Sequence, residues 1–341
     1  LALLAVGAAA CAADDSGSNA GETAGTDPGI VERSSGDTTP GDGTAETSEQ
    51  PRGPFEVVTL DGQVVDDSRD RSVPYRVYAP VGLSGPVPVV LVSHGGSGNS
   101  TGYARGGHLG STFAAGGFLA VHVGHVESTT DHQVVDRPAD VSHVLDRLAD
   151  ATLPLPADFV GTPDLEQVGH TGHSFGAYTS HAVGGATFDR TFTDDRVDAI
   201  APISPQGADQ FGAFDRGPTD NTWVTVTIPA YNLVGGDEAD SNVRGTIEEE
   251  GWRLTPFRRY PAEGDKFLTV IDGQGHSDMW RTGSDEVRSF IAEQILAFFD
   301  VYVRGDTTVD ACMIGEGELV GTSTRRLPDE TDTRLGNCPP G

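Results

Sequence analysis

Lysine is almost missing from this chain. Lys266 is the only one in 341 residues, and 22 basic residues in all stand against 51 acidic ones, a formal net charge of −29. A surface of that sign repels phosphate, so nucleic acid and anionic lipid are excluded as partners. The preference for Arg over Lys fits a GC-rich codon bias, and the acidic excess also fits a salt-adapted surface. Cysteine is scarce as well, with three residues, and neither cysteines nor histidines cluster at metal-ligand spacing. The acidic stretches lack a calcium-loop pattern, so no metal site is expected. Beyond the first residues no apolar run approaches the roughly 20 residues that span a bilayer, and no internal repeat is visible.

The one long apolar run is residues 1–10, which ends in Ala8-Ala9-Ala10-Cys11 as the apolar core and small-residue end of a secretory signal do. The chain starts without Met or a basic stretch, so upstream precursor residues are expected. Residues 1–11 are read as a signal remnant in which Cys11 is lipidated. Ordinary cleavage near Ala10 is the alternative, because Ala8 stands where lipoprotein signals usually carry Leu. Residues 12–52 are Asp, Glu, Gly, Ser, Thr and Pro with hardly an aliphatic pair, and cannot bury enough surface to offset chain entropy. They read as a disordered acidic tether. Residues 53–341 suit one catalytic-size domain with a single core, expected to be monomeric. Cys312 and Cys338 both follow the last predicted helix, and their bridging would fit a secreted or cell-envelope protein in an oxidising compartment.

From Phe55 onward short β-rich runs alternate with helical patterns, which predicts an α/β fold with a mostly parallel central sheet and helices on both faces. Strands are expected over residues 55–60, 75–78, 87–93, 118–123, 166–171, 197–203, 228–234 and 267–271. Helices are expected over 137–148, with Pro138 in the first turn, over 177–184 and over 284–303. Candidate catalytic residues then fall just past the carboxyl ends of strands, where open parallel sheets bind ligands.

Gly172-His173-Ser174-Phe175-Gly176 matches the G-x-S-x-G elbow, whose glycines permit a tight strand-to-helix turn that presents the serine hydroxyl. A serine hydroxyl needs a neighbouring base to be nucleophilic. His276, in Asp272-Gly273-Gln274-Gly275-His276-Ser277 between a strand and the last helix, is the candidate. His94 and His173 read as loop-shaping residues and His122 as part of a strand. His108, His125, His132, His143, His170 and His181 precede or flank the elbow, out of the chain order of nucleophile, acid, base. The carboxylate that orients the imidazole is assigned to Asp237, directly after the strand over 228–234, with Glu238 and Asp240 near enough to compete. Oxyanion donors are expected from the backbone N–H of Phe175 and from the loop Ser93-His94-Gly95-Gly96-Ser97-Gly98, chiefly Gly96. Among Tyr103, Trp223, Trp252 and Trp280, the pair Tyr103 and Trp280 is the candidate pocket lining, with plain core packing as the competing reading.

The set His94-Gly95-Gly96, Gly172-His173-Ser174-Phe175-Gly176, Asp237 and His276 resembles the α/β-hydrolases. It is most similar to bacterial dienelactone-hydrolase-like and platelet-activating-factor-acetylhydrolase-like esterases, which also share the stretch Asp136-Arg137-Pro138-Ala139-Asp140-Val141-Ser142-His143-Val144-Leu145-Asp146. The resemblance covers residues 73–303 and implies hydrolysis of a carboxylic ester substrate without metal or organic cofactor. Dienelactone hydrolases proper use cysteine where Ser174 stands, so their substrate does not carry over. Cutinase-like polyester hydrolases share the triad order and a terminal disulfide, but carry Met where Phe175 stands and an aromatic residue where Gly96 stands, which makes polyester cleavage the second reading. A surface lipoprotein that keeps the fold only for binding is the non-catalytic alternative.

Overall fold

The computed structural model describes residues 53–96, 101–125, 130–188, 190–208, 221–239 and 251–326. The signal remnant with Cys11, the acidic tether, Asp240 and Cys338 lie outside the described residues, so the expectations attached to them rest on sequence alone.

The strands are β1 (Val57–Asp66), β2 (Arg71–Pro80), β3 (Gly85–Ser93), β4 (Leu119–Val123), β5 (Gly161–His173), β6 (Val197–Ile203), β7 (Ala230–Gly235), β8 (Lys266–Ile271) and β9 (Val320–Arg326). They form one sheet in the order β1-β2-β4-β3-β5-β6-β7-β8-β9. The six central strands from β4 to β8 are parallel, while β1, β2 and β9 are antiparallel to their neighbours. Helices α1 (Gly107–Ala115), α2 (Thr130–Ala149), α3 (Phe175–Val183), α4 (Gly236–Ala239), α5 (Thr255–Arg259) and α6 (Asp285–Tyr302) complete the order.

Two apolar clusters cover the two faces of the sheet, as side-chain alternation requires. In β3, Val87, Val89 and Leu91 join α2 and α3 on one face, and Val90 and Val92 join α1 and α6 on the other. Helices on both faces explain why β3 reads as an unbroken apolar run. Ser284 caps α6 by accepting the Val287 N–H at 3.3 Å, and Asp285 and Glu286 in the first turn complement the helix dipole. Among the described residues no helix is long and apolar enough to cross a membrane. The single lysine is buried, its ammonium donating to the Ile228 carbonyl.

Helices α1, α4 and α5 and strand β9 were not among the expected elements, and β1, β2, β5 and α2 run beyond their expected bounds. Helix α2 begins seven residues before Arg137, so Pro138 is inside it rather than in its first turn. A proline there cannot donate to the carbonyl of Val134, and the Tyr178 hydroxyl of α3 donates to that oxygen instead, at 2.7 Å. Helix α1 is absent from the sequence reading; its apolar residues Leu109 and Phe113 bury against the sheet. Edge strand β9 is polar, and its antiparallel register with β8 rests on backbone pairing.

Strand order reverses its direction of growth between β3 and β5: β4 lies on one side of β3, and β5 through β8 build outward on the other. The crevice beyond the carboxyl ends of β3 and β5 is therefore the switch point at which such sheets bind ligands. Ser93 at the end of β3 pairs in register with Gly172 of the elbow.

Candidate active site

Ser174 joins β5 to α3 with φ 55° and ψ −116°, a strained conformation for a residue with a side chain. The flanking glycines follow from packing. A Cβ on Gly172 would sit 2.6 Å from the Ser93 carbonyl oxygen, and one on Gly176 would overlap that same oxygen. Only glycine at both positions lets the elbow press against the end of β3, and the serine is left partly exposed on the turn.

His276 stands on the loop after β8. The Ser174 hydroxyl donates to its Nε2 at 2.9 Å, and its Nδ1–H donates to a carboxylate at 2.8 Å. That carboxylate is Glu238, not Asp237. Both residues sit on α4, the single turn after β7, but consecutive helical positions face different ways. Asp237 is exposed, with its backbone N–H on the Gln274 carbonyl at 3.0 Å, whereas Glu238 is 3 % exposed and turned toward the imidazole. The assignment of the acid to Asp237 is corrected accordingly.

The Glu238 carboxylate is held at both oxygens. Oε1 accepts from the Ser204 hydroxyl and from the Gly235 N–H at 3.1 Å, while Oε2 accepts from His276 and lies 2.8 Å from Nε of buried Arg253. The Arg253 contact is an ion pair without hydrogen-bond alignment; Nη1 of the same guanidinium donates to the carbonyls of Ser204 and Pro205 at 2.8 and 3.0 Å. Burial by itself pushes the Glu238 carboxyl up. The His276 hydrogen bond, the Arg253 charge and the Ser204 hydroxyl outweigh it and hold the group at about 2. Glu238 is thus an anion at any pH at which the imidazole could act as a base.

His173 holds the backbone of His276. Its Nε2–H donates to the His276 carbonyl at 2.8 Å, and its ring lies 5.5 Å from that of Trp280 with the planes 15° apart. Burial, with the neighbouring His276 charge, lowers the His173 pKa to about 3, so it stays a neutral donor. Trp280 is carried on the π-helical turn Asp278–Thr282 and is 5 % exposed. It is core behind His173 rather than pocket lining, which corrects that expectation. Trp223 and Trp252 are buried too, while Tyr103 is half-buried beside Gly124 and gives its carbonyl to His122 Nδ1.

The loop after β3 crosses the elbow. A Cβ on Gly95 would lie 3.0 Å from the Ser174 Cβ, and Gly96 has φ +80°. Phe175, expected to donate to an oxyanion, is the first residue of α3, where N–H groups have no intrahelical acceptor and the helix dipole is positive. Ser97 and Gly98 lie outside the described residues. Sequence reasoning passed over Arg253 and Ser204, since a lone Arg and a Ser after a strand carry no motif, and it saw His173 only as a loop former. No protein-family model matches this chain, and no curated protein matches it. Among the described residues no group of His, Cys, Asp and Glu could hold a metal ion.

Proposed function

We propose that this chain is a serine hydrolase of the α/β-hydrolase fold that cleaves carboxylic esters through an acyl-enzyme on Ser174. The observation that carries the reading is the continuous hydrogen-bonded chain from Ser174 through His276 to Glu238, set on a strained elbow at the switch point of the sheet. Chain order supports it: nucleophile after β5, acid after β7, base after β8, the order Ser, acid, His of that fold.

In the first half-reaction the Ser174 oxygen bonds to the acyl carbon as its proton passes to His276 Nε2. Glu238 accepts the Nδ1–H throughout and stabilises the imidazolium. The carbonyl oxygen becomes an oxyanion beside the N–H groups of Phe175 and the Gly95-Gly96 loop. Collapse breaks the bond to the alcohol oxygen, which leaves with the proton from His276. Water then repeats the sequence, giving up its proton to His276 and releasing the acid and Ser174. Each step uses groups of this chain, substrate and water only.

A fluorophosphonate should label wild-type protein at Ser174, and p-nitrophenyl acetate or butyrate should be hydrolysed. Ser174→Ala should abolish labelling and lower turnover about 10⁶-fold, with the circular dichroism spectrum unchanged. A folded Ser174→Ala variant that hydrolyses these esters at the wild-type rate would refute the reading.

A further inference from the structure

We propose that Arg137 is a positioning residue that sets the oxyanion-binding conformation of the loop after β3; the inference rests on the ester-hydrolase reading above. Arg137 is fully buried. Among the described residues it has no carboxylate at ion-pair distance, and Asp140, on the same helix, gives its oxygens to Arg69, Arg71 and His125. A buried cation without an ion-pair partner is costly unless hydrogen bonds hold it. Here each guanidinium nitrogen donates, two of them to the loop after β3 and the third to α2. Nη1 donates to the His94 carbonyl at 2.7 Å, Nη2 to the Gly96 carbonyl at 2.6 Å, and Nε to the Gln133 side chain at 3.1 Å, with the guanidinium 4.4 Å from the centre of the Phe175 ring.

In a trans peptide the N–H points opposite to the preceding carbonyl. Holding the His94 carbonyl therefore directs the Gly95 N–H away from Arg137. The intervening Gly95 carbonyl accepts from His94 Nδ1 at 3.0 Å, which fixes the plane that carries the Gly96 N–H. Without these anchors a loop with consecutive glycines has no side-chain reason to keep one conformation. One planar fork spans both outer carbonyls and packs on the residue after the nucleophile, so Arg137 couples the two halves of the hole. An ammonium could satisfy one carbonyl but lacks the fork.

The test compares kcat, KM and inhibition by a trifluoromethyl ketone, whose hemiketal oxyanion needs the hole, in wild type, Arg137→Lys and Arg137→Ala. Removing one oxyanion donor costs about 10² to 10³ in kcat. Arg137→Ala should lose that much, with KM within a few-fold, trifluoromethyl ketone affinity falling in parallel, and added guanidinium restoring part of both. Arg137→Lys should fold and show a smaller loss of the same kind. If Arg137→Ala fails to fold, Arg137→Lys decides. A folded variant with wild-type kcat and wild-type inhibition overturns the proposal, as does a loss expressed in KM alone. Wild-type protein that neither reacts with fluorophosphonate nor hydrolyses esters would instead overturn the hydrolase reading on which it rests.

Discussion

Among the described residues, two constellations of serine, histidine and carboxylate occur, and their hydrogen bonds alone do not distinguish them. In one, Ser174, His276 and Glu238 are joined at 2.9 and 2.8 Å. In the other, Ser93, His125 and Asp140 are joined at 3.0 and 3.1 Å. The differences lie in backbone and access. Ser174 sits on a strained elbow and the His276 side chain is 34 % exposed, whereas Ser93 is the last residue of a paired strand and all three members of its group are fully buried. Ser93 Oγ is further occupied by His170 Nε2 at 3.1 Å, and His170 Nδ1 bonds to the Ser180 hydroxyl at 2.8 Å. Asp140 is gripped by Arg71 through both oxygens, at 2.7 and 2.9 Å. Burial, together with the nearby Arg137 charge, lowers the His125 pKa to about 4 despite the Asp140 carboxylate. The outer group is open to solvent; the inner one is a polar clamp that ties β3, β5 and α2 together beneath the elbow.

The largest effect that would sharpen this contrast concerns the acid. Glu238→Gln keeps the shape but removes the anion that orients and stabilises His276, and should lower ester turnover about 10⁴-fold. Asp237→Asn, one residue away and solvated, should leave turnover within about twofold, a change under 0.5 kcal/mol in barrier. Steady-state kinetics on a p-nitrophenyl ester separates them, and reversed losses would return the acid to Asp237.

That adjacent pair also marks where the sequence stopped being legible. The eight strands β1 to β8, the helices α2, α3 and α6, and the turn that carries Ser174 followed from periodicity and from glycine placement, whereas α1, α4, α5 and β9 did not. Which of two consecutive acids faces inward depends on the phase of a four-residue helix, and the stretch Gly235-Gly236-Asp237-Glu238 carries no apolar pattern to set that phase. His125 and His170 read as bystanders because they precede the nucleophile, and their partners Ser93, Asp140 and Ser180 are brought to them only by sheet pairing and helix packing. Trp280 looked like pocket lining from its distance to His276 along the chain, yet the π-helical turn rotates it inward.

Acidification should break the inner group before the outer chemistry is tested. Burial, the largest cause at each site, lowers the pKa of His108, His122 and His125 to about 4 and of His170, His173 and His181 to about 3, from an ordinary 6.5. Below pH 6.5 the unfolded chain therefore binds more protons than the folded one, and stability falls with falling pH until the folded values are reached. The stabilisation is fully present above pH 6.5 and is lost progressively between there and about pH 4 to 3. Calorimetry should show Tm dropping steeply between pH 7 and pH 4.5. Replacing His125 with Gln should lessen that dependence by one proton, about 1.4 kcal/mol per pH unit at most. A Tm that is flat from pH 7 to pH 5 would contradict the sealed, neutral imidazoles.

The smallest expected effect, and the most direct probe of the difference between the serines, is Ser93→Ala. The hydroxyl links two imidazoles: with Asp140 accepting the His125 Nδ1–H, His125 Nε2 must accept the Ser93 proton, and Ser93 Oγ in turn accepts from His170. Deleting it leaves a buried acceptor and a buried donor without partners, at about 1 to 3 kcal/mol for such a group. The cavity is only one oxygen in size, so the loss should appear as a lower Tm without gross rearrangement. Because Ser93 Oγ bonds to neither Ser174 nor His276, ester turnover should stay within about tenfold, or about 1.4 kcal/mol of barrier. Fluorophosphonate labelling should remain confined to Ser174. If Ser93→Ala instead matched Ser174→Ala in lost turnover while keeping wild-type Tm, the inner group would be part of the reaction, and burial would no longer separate the two.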